Sequence, residues 1–371
     1  MKNNRTFLEK LLDGAEVEWK PLIKVASLTR GRVISKEYLA DNLGDYPVYS
    51  SQTVNNGEIG KINSFDFDGE FVSWTTDGAN AGTVFYRSGK FSITNVCGLI
   101  KIQNNLELNY KFLFYWLSIE AKNHVYSGMG NPKLMSHQME KILIPIPPLS
   151  VQTEIVRILD ALTALTSELT SELTSELTLR QKQYEYYREK LLSFDSLEQL
   201  NMGGAKKKLI DVAKIKNGKD WKHLGEGDIP IYGSGGIMGY VDTYSYDKPT
   251  VLIPRKGTIT NIFYLEEPFW NVDTIYYTEI DTTQILPKYF YHFMKTVDLT
   301  KLDTGSGRPS LTQAILNESP IFVPSIKEQQ RIVSILDKFE TLTNSITEGL
   351  PLAIEQSQKR YEYYRELLLN F

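Results

Sequence analysis

Over 371 residues the sequence carries one cysteine and four histidines. A single cysteine excludes an intrachain disulfide and fits a reducing cytosol. Cys97 lies in an apolar run with Val96, Leu99 and Ile100, which predicts a buried, inert thiol. The histidines His124, His137, His223 and His292 are scattered without ligand spacing, so no metal site is expected. No apolar run reaches membrane-spanning length, and the polar Met1–Asn4 is not followed by a signal-peptide segment. A GxxxxGK[ST] phosphate loop is missing. So is the Asn/Asp-Pro-Pro-aromatic signature of amino-methyltransferases; Asn131-Pro-Lys-Leu134 does not match it. No catalytic constellation and no cofactor site are therefore expected. The net charge of −4 argues against a nonspecific nucleic-acid binder but leaves room for a specific one, because affinity depends on local basic surface.

What is present is duplication. Tyr-Glu-Tyr-Tyr-Arg-Glu occurs at 184–189 and again at 361–366, 177 positions apart. Around it, Gln181–Phe194 matches Gln358–Phe371 at 11 of 14 positions, and Glu154–Thr166 pairs with Arg331–Thr343. The chain reads as two copies of one unit, each ending in a long helix. Upstream the correspondence weakens. Leu22–Ala26 pairs with Leu209–Ala213, Thr29–Arg32 with Lys216–Lys219, and Tyr46–Ser51 with Ile229–Ser234. The β-rich segments 70–86 and 250–264 follow, then Gly128–Leu134 with Gly305–Leu311, and the proline-containing strands 142–147 and 319–324. The offset drifts from 187 at Leu22 to 177 from Gly128 onward. The bodies have diverged while the helices have kept their length.

The helices are expected to start at Pro147-Pro148-Leu-Ser150 and Pro324-Ser325, with the serines as N-caps. Ile155, Ile158, Leu159, Leu162 and Leu165 form a stripe at helical spacing, matched by Ile332, Ile335, Leu336, Phe339 and Leu342. Roughly 40 residues make a rod about 60 Å long, and two such rods bury their stripes by packing antiparallel as a coiled coil. The first contains three copies of TSEL at 166–177, placing Leu169, Leu173 and Leu177 on one broad face and Glu168, Glu172 and Glu176 on a solvated one. In the second, Ile346, Leu350 and Ile354 stand in register with those leucines, and Gly349 and Pro351 should break or kink the helix. Phe7–Leu12 echoes the end of a rod, which places the N-terminal segment near the C-terminal helix end.

The polar side chains of the bodies suit DNA, and they cluster in glycine-containing turns at matching places. The first body offers Arg30, Arg32, Ser51, Gln52, Asn55 and Asn56, then Thr75, Thr76, Asn80, Lys133 and His137. The second offers Lys216, Lys219, Lys222, His223, Arg255 and Lys256, then Thr258, Asn261, Arg308 and Gln313. Arg and Lys suit phosphates and guanine edges; Asn and Gln suit adenine. Gly233–Gly239 looks like a cofactor loop, yet it aligns with Ser50–Asn56, which favours a structural turn.

Taken together, the two variable bodies, the two similar helices, the tetrapeptide array and the helix starts Pro147–Val156 and Lys327–Val333 resemble the specificity subunits of Type I restriction–modification enzymes. The resemblance covers essentially the whole chain. It implies a non-catalytic subunit whose two target-recognition domains each read half of a bipartite, asymmetric DNA target. It implies two modification subunits as partners, which bind S-adenosylmethionine and methylate adenine N6. Restriction subunits, using ATP and magnesium, are a further implied partner, and a cytoplasmic, nucleoid-associated location in a bacterium or archaeon follows. The implied fold is α+β, with two β-rich domains separated by two long antiparallel helices in a pseudo-two-fold repeat. The expected boundaries are 1–150 and 209–324 for the recognition domains, 151–194 and 325–371 for the helices, and 195–208 for a linker. The coiled-coil and partner-facing residues are expected to be Ile155, Leu159, Leu162, Tyr184, Tyr187 and Arg188, with Ile332, Leu336, Tyr361, Tyr364 and Arg365. A coiled-coil scaffold carrying two protein-binding domains is the alternative.

Overall fold

The computed structural model describes residues 6–127, 130–199, 204–305, 307–345 and 347–371. Residues 128, 129 and 306 of the paired glycine motifs and Ile346 of the helix register lie outside the described residues, as does Met1–Asn4. The chain divides into two compact units, Met1–Thr170 with Gln356–Phe371, and Ser171–Glu355. Each unit joins one β-rich body to helix segments from both long helical stretches.

In the first unit six strands form one sheet in the order 26–30, 97–102, 67–75, 84–93, 43–49, 58–62. All neighbours are antiparallel except 84–93 with 43–49. Side chains alternate across the sheet as a two-residue period requires. Val72, Trp74, Ile100 and Ile102 enter the main core beneath the helices. Phe71, Phe91, Cys97 and Leu99 enter a smaller core. The helix Tyr110–Glu120 buries Phe112, Leu113 and Leu117, and its N-cap Asn109 accepts from the amides of Lys111 and Phe112. Gly98 leaves room for Trp74, whose ring would lie 2.1 Å from any Cβ placed there.

The second unit splits the same plan into a four-stranded sheet (213–216, 275–280, 250–254, 263–265) and a three-stranded one (236–241, 229–233, 270–271). Each unit also has an antiparallel strand pair beside the start of its long helix. Glu18–Pro21 meets Leu143–Ile146, and Ala205–Lys208 meets Pro320–Val323. The stretch 195–208, expected as a linker, thus contributes a strand, and it also contains most of the helix Phe194–Gln199. That helix corresponds by offset to Phe7–Leu12, a separate short helix closed by a capping box at Thr6 and Glu9, rather than a copy of a rod end. Leu8 shares the first core with Leu368 and Leu369, as the echo implied.

The first long helix, Leu149–Leu192, is unbroken over 44 residues. Ser150 lies inside it and is no cap. Ser325 does cap its helix, accepting from the Glu328 amide. The second stretch forms two helices, Ile326–Asn344 and Leu350–Leu369. Gly349 permits the break: a Cβ there would sit 2.6 Å from the Thr341 carbonyl oxygen. Among the described residues no helix is long and apolar enough to cross a membrane.

A buried glutamine fastens each helix start to its body. The Gln152 Oε1 accepts from the Asn109 amide at 2.9 Å, and its Nε2 donates to the carbonyls of Glu107 and Pro147, both at 2.8 Å. Gln329 repeats this with the Leu286 amide at 2.7 Å and the carbonyls of Gln284 and Pro324 at 3.0 and 2.8 Å. Both side chains are fully buried. Replacing either with Ala strands one amide and two carbonyls away from water. Each variant is expected to lose about 3 kcal/mol, since one orphaned buried group costs about 1–3 kcal/mol. Denaturant unfolding checks this, and a change below about 0.5 kcal/mol would show that the clamp carries little.

Candidate nucleic-acid interface

The basic turns of the two bodies are built alike. At Gly31 a Cβ would lie 2.2 Å from the Ile93 carbonyl oxygen, and at Gly218 one would lie 2.0 Å from that of Val272. Only glycine lets these turns press against the neighbouring strand. The flanking side chains then differ. Arg30 donates to Thr76 Oγ1 at 2.9 Å. Arg32 grips Asp66 with contacts of 2.9 and 3.2 Å and lies 5.0 Å from the centre of the Tyr38 ring. The hydrogen bond to the carboxylate raises its pKa further, and both contacts come from Nε. Lys216 pairs with Glu279 at 3.5 Å, while Lys219, Lys222 and His223 are exposed, His223 with its ring edge-on to Trp270.

Past this turn lies a loop that both bodies hold by one device. Asn80 Nδ2 donates to the Ser51 carbonyl at 3.0 Å, and Asn261 Nδ2 to the Ser234 carbonyl at 3.1 Å. In the first body the loop carries exposed Gln52, Asn55 and Asn56, the last two left-handed at φ 51° and 54°. In the second it is the glycine-rich tip of a hairpin, as the alignment of Gly233–Gly239 implied. Ser234 gathers the basic turn beside it. Its amide donates to Thr274 Oγ1 at 3.3 Å, and the amides of Arg255 and Lys256 donate to the Thr274 carbonyl. Arg255 also donates to the Asp273 carbonyl at 3.3 Å, Lys256 lies 3.9 Å from Asp273, and Thr258 is exposed.

The second glycine motif folds back on these loops. Lys133 bridges to Asp77, with 4.0 Å between Nζ and the carboxylate. Lys256 bridges to Ser310 at the matching place. Trp74 Nε1 donates to the Leu134 carbonyl at 2.9 Å, and Tyr276 does the same for Leu311 at 3.1 Å. His137 and Arg308 are exposed, whereas Gln313 turns inward to the Ile215 carbonyl at 3.3 Å. Thr75 and Thr76 have no exposed surface at all. The fold therefore brings together Arg30, Ser51, Gln52, Asn55, Asn56, Asn80 and Lys133 around one loop. Around the other it brings Arg255, Lys256, Thr258 and Asn261. Thr75 and Thr76 are withdrawn into the core.

Some residues at the loops carried no legible signal. Ile237, Met238 and Tyr240 are exposed on the second hairpin at 54%, 58% and 56%. Arg87 is buried beneath the first loop. One group the sequence scattered is also gathered: His292, Asp337 and Glu340 bring ligand-type atoms within 4.8 Å of one another. Its members are engaged. His292 Nε2 meets Asp337 at 3.0 Å, Lys288 meets the same carboxylate at 2.8 Å, and Tyr291 donates to Glu340 at 3.0 Å. Burial lowers the His292 pKa and favours its neutral form. In the first unit Tyr115 and Lys111 hold Asp160 in the same way, at 2.7 and 2.6 Å, so the group reads as a helix–body joint.

On the helices, Ile155, Leu159, Ile332 and Leu336 are fully buried, and Leu162 packs against the first core. Tyr184 is buried in the second core, near Phe339. Tyr361 accepts from Thr163 Oγ1 at 3.0 Å. Arg188 and Arg365 lie over these two tyrosines at 5.3 and 5.6 Å. Tyr187 and Tyr364 are exposed at 41% and 42%, each paired edge-on with an exposed neighbour, Tyr186 or Tyr363.

Residues 15–179 and 203–356 each match the Type I restriction modification DNA specificity domain. The chain belongs to this family. It is 45% identical, over the full length of both chains, to a putative type I restriction enzyme specificity subunit of Haemophilus influenzae. It is 35% identical to the EcoprrI specificity subunit of Escherichia coli, covering 92% of each chain. In fold it is similar to a chain solved in work on complex assembly and conformational transition of the type I R-M system. The TM-score is 0.68 at 15% identity, over 96% of this chain and 97% of that one. The specificity subunit is a non-catalytic component of a Type I restriction–modification complex that recognises a DNA target, and its family carries no cofactor itself.

Burial pushes the Cys97 thiol up to about 11. At pH 8 only about one thiol in a thousand is then the reactive thiolate. Iodoacetamide is expected to spare the folded protein and to label it fully in urea. Rapid labelling of the native chain would contradict the packing of the smaller core.

Proposed function

We propose that each body reads one half of a bipartite, asymmetric DNA target, and that the helices recruit two modification subunits that methylate adenine N6. S-adenosylmethionine is held by those subunits, and restriction subunits that use ATP and magnesium join the complex for cleavage. The observation that carries the reading is the repeated loop device, Asn80 on Ser51 and Asn261 on Ser234, which presents polar and basic side chains at equivalent places. Arg255, Lys256, Lys133 and Arg30 suit phosphates and guanine edges, and Asn55, Asn56 and Gln52 suit adenine. Arg32, held through Nε by Asp66, is a further candidate at its turn. The exposed pairs Tyr186–Tyr187 and Tyr363–Tyr364 are the surfaces assigned to the modification subunits, because Tyr is enriched at interface hot spots.

The TSEL array is the spacer in this reading. One copy adds about 6 Å of helix and about 40° of rotation. One base pair adds about 3.4 Å and about 34–36°. The rotations agree better than the lengths, so each copy corresponds to one base pair, with bending absorbing the rest.

Methylome sequencing of cells that express the chain with its modification subunit tests the scheme. A two-part motif with a fixed gap is expected, and Arg255→Ala should weaken one half-site by about 10-fold or more. Methyl transfer by the isolated chain, or a single continuous motif, would refute the proposal. Deleting one TSEL should shorten the gap by one base pair and leave both half-sites unchanged; an unaltered gap would remove the spacer assignment.

A further inference from the structure

Arg87 sits in the strand Val84–Ile93 and is only 3% exposed. Its Nε donates to Ser73 Oγ at 3.0 Å, and a terminal nitrogen donates to the Asn56 carbonyl at 2.8 Å. The guanidinium lies 3.6 Å from the centre of the Tyr49 ring and 4.4 Å from that of Phe85. Among the described residues no carboxylate pairs with it. Burial pushes it down to about 10, so it stays cationic at neutral pH. A buried cation without a counter-charge is costly, and the second body does without one. There the paired strands place Leu265 opposite Thr250, where the first body has Arg87 opposite Phe71. The core itself therefore does not require an arginine at this point.

What Arg87 holds is the loop above it. Asn55 and Asn56 are consecutive left-handed residues without being glycine, a conformation that persists only where the surroundings enforce it. The Asn56 carbonyl faces down onto the guanidinium, and a Cβ at Gly57 would lie 3.1 Å from its other terminal nitrogen. With that carbonyl tied inward, the side chains of Asn55 and Asn56 remain exposed. Amide recognition of adenine is bidentate and depends on direction, so a loosened turn reads less sharply.

We propose that Arg87 is a positioning residue for base readout, fixing the left-handed turn at Asn55–Asn56 and so the specificity of the first body alone. This rests on the first body reading a half-site as proposed above. The test uses the full chain assembled with its modification subunits, acting on a DNA library randomised in both half-sites. Wild type is compared with Arg87→Lys, Ser73→Ala and the double variant Asn55→Ala/Asn56→Ala. Arg87→Lys is expected to relax preference by about 10-fold at one or two positions of one half-site and to leave the other half-site unchanged. The same positions should relax in the double asparagine variant. A merely structural role would lower total methylation with every base preference intact, and that result overturns the proposal. If the asparagine variant relaxes a half-site and Arg87→Lys does not, Arg87 is dismissed while the loop reading stands. If neither changes any preference, the loop reading itself fails. Should the lysine variant not assemble, Ser73→Ala decides, since it removes only the hydroxyl that orients Nε. Relaxation of about 3-fold at those positions supports the role, and unchanged preference ends it.

Discussion

Each body is fixed to its helix by a fully buried glutamine that satisfies one amide and two carbonyls from two other chain segments. A helix start must find partners for its free backbone groups, and the chain connections of a β-rich body leave orphan carbonyls as well. One amide side chain meets both demands. Because its donors and acceptor point in fixed directions, it sets the angle of the helix as well as its attachment. The carboxylate joints two turns further on, Asp160 with Lys111 and Tyr115, and Asp337 with Lys288 and His292, brace the same angle from the helix flank.

On this shared frame the two bodies diverge where they meet solvent. An aromatic side chain holds the Leu134 or Leu311 carbonyl from a different strand in each body, whereas the close-packed glycines of the basic turns and the asparagine that holds the loop recur in both. The loop tips do not: one is polar and left-handed over a buried arginine, the other glycine-rich with apolar side chains beside it. Two different surfaces on one support fit the asymmetric target proposed above.

The helices, the duplication and the break ahead of Leu350 were legible because they depend on local periodicity and backbone chemistry. The glycine turns were legible because both copies carry them. The fate of individual polar residues was not. Nothing in the turn of Arg32 announces that Asp66, 34 positions away, comes to lie against its Nε. Thr75 and Thr76 were candidate readers by their chemistry until the sheet buried them. Such assignments depend on which distant segment arrives alongside, and nothing in a single turn encodes that. Ser150 misled for a simpler reason: Pro148, two positions earlier, precedes the first helical residue and leaves the serine inside the helix.

The apolar clusters take residues from the first long helix up to Leu162 and again from Tyr184, and none from the stretch between. Leu165 and Leu169 stay 62% and 37% exposed. The tandem array occupies this stretch, where a four-residue gain or loss dislodges no side chain from either core. The length of the array is therefore the feature of the first long helix that the two cores constrain least.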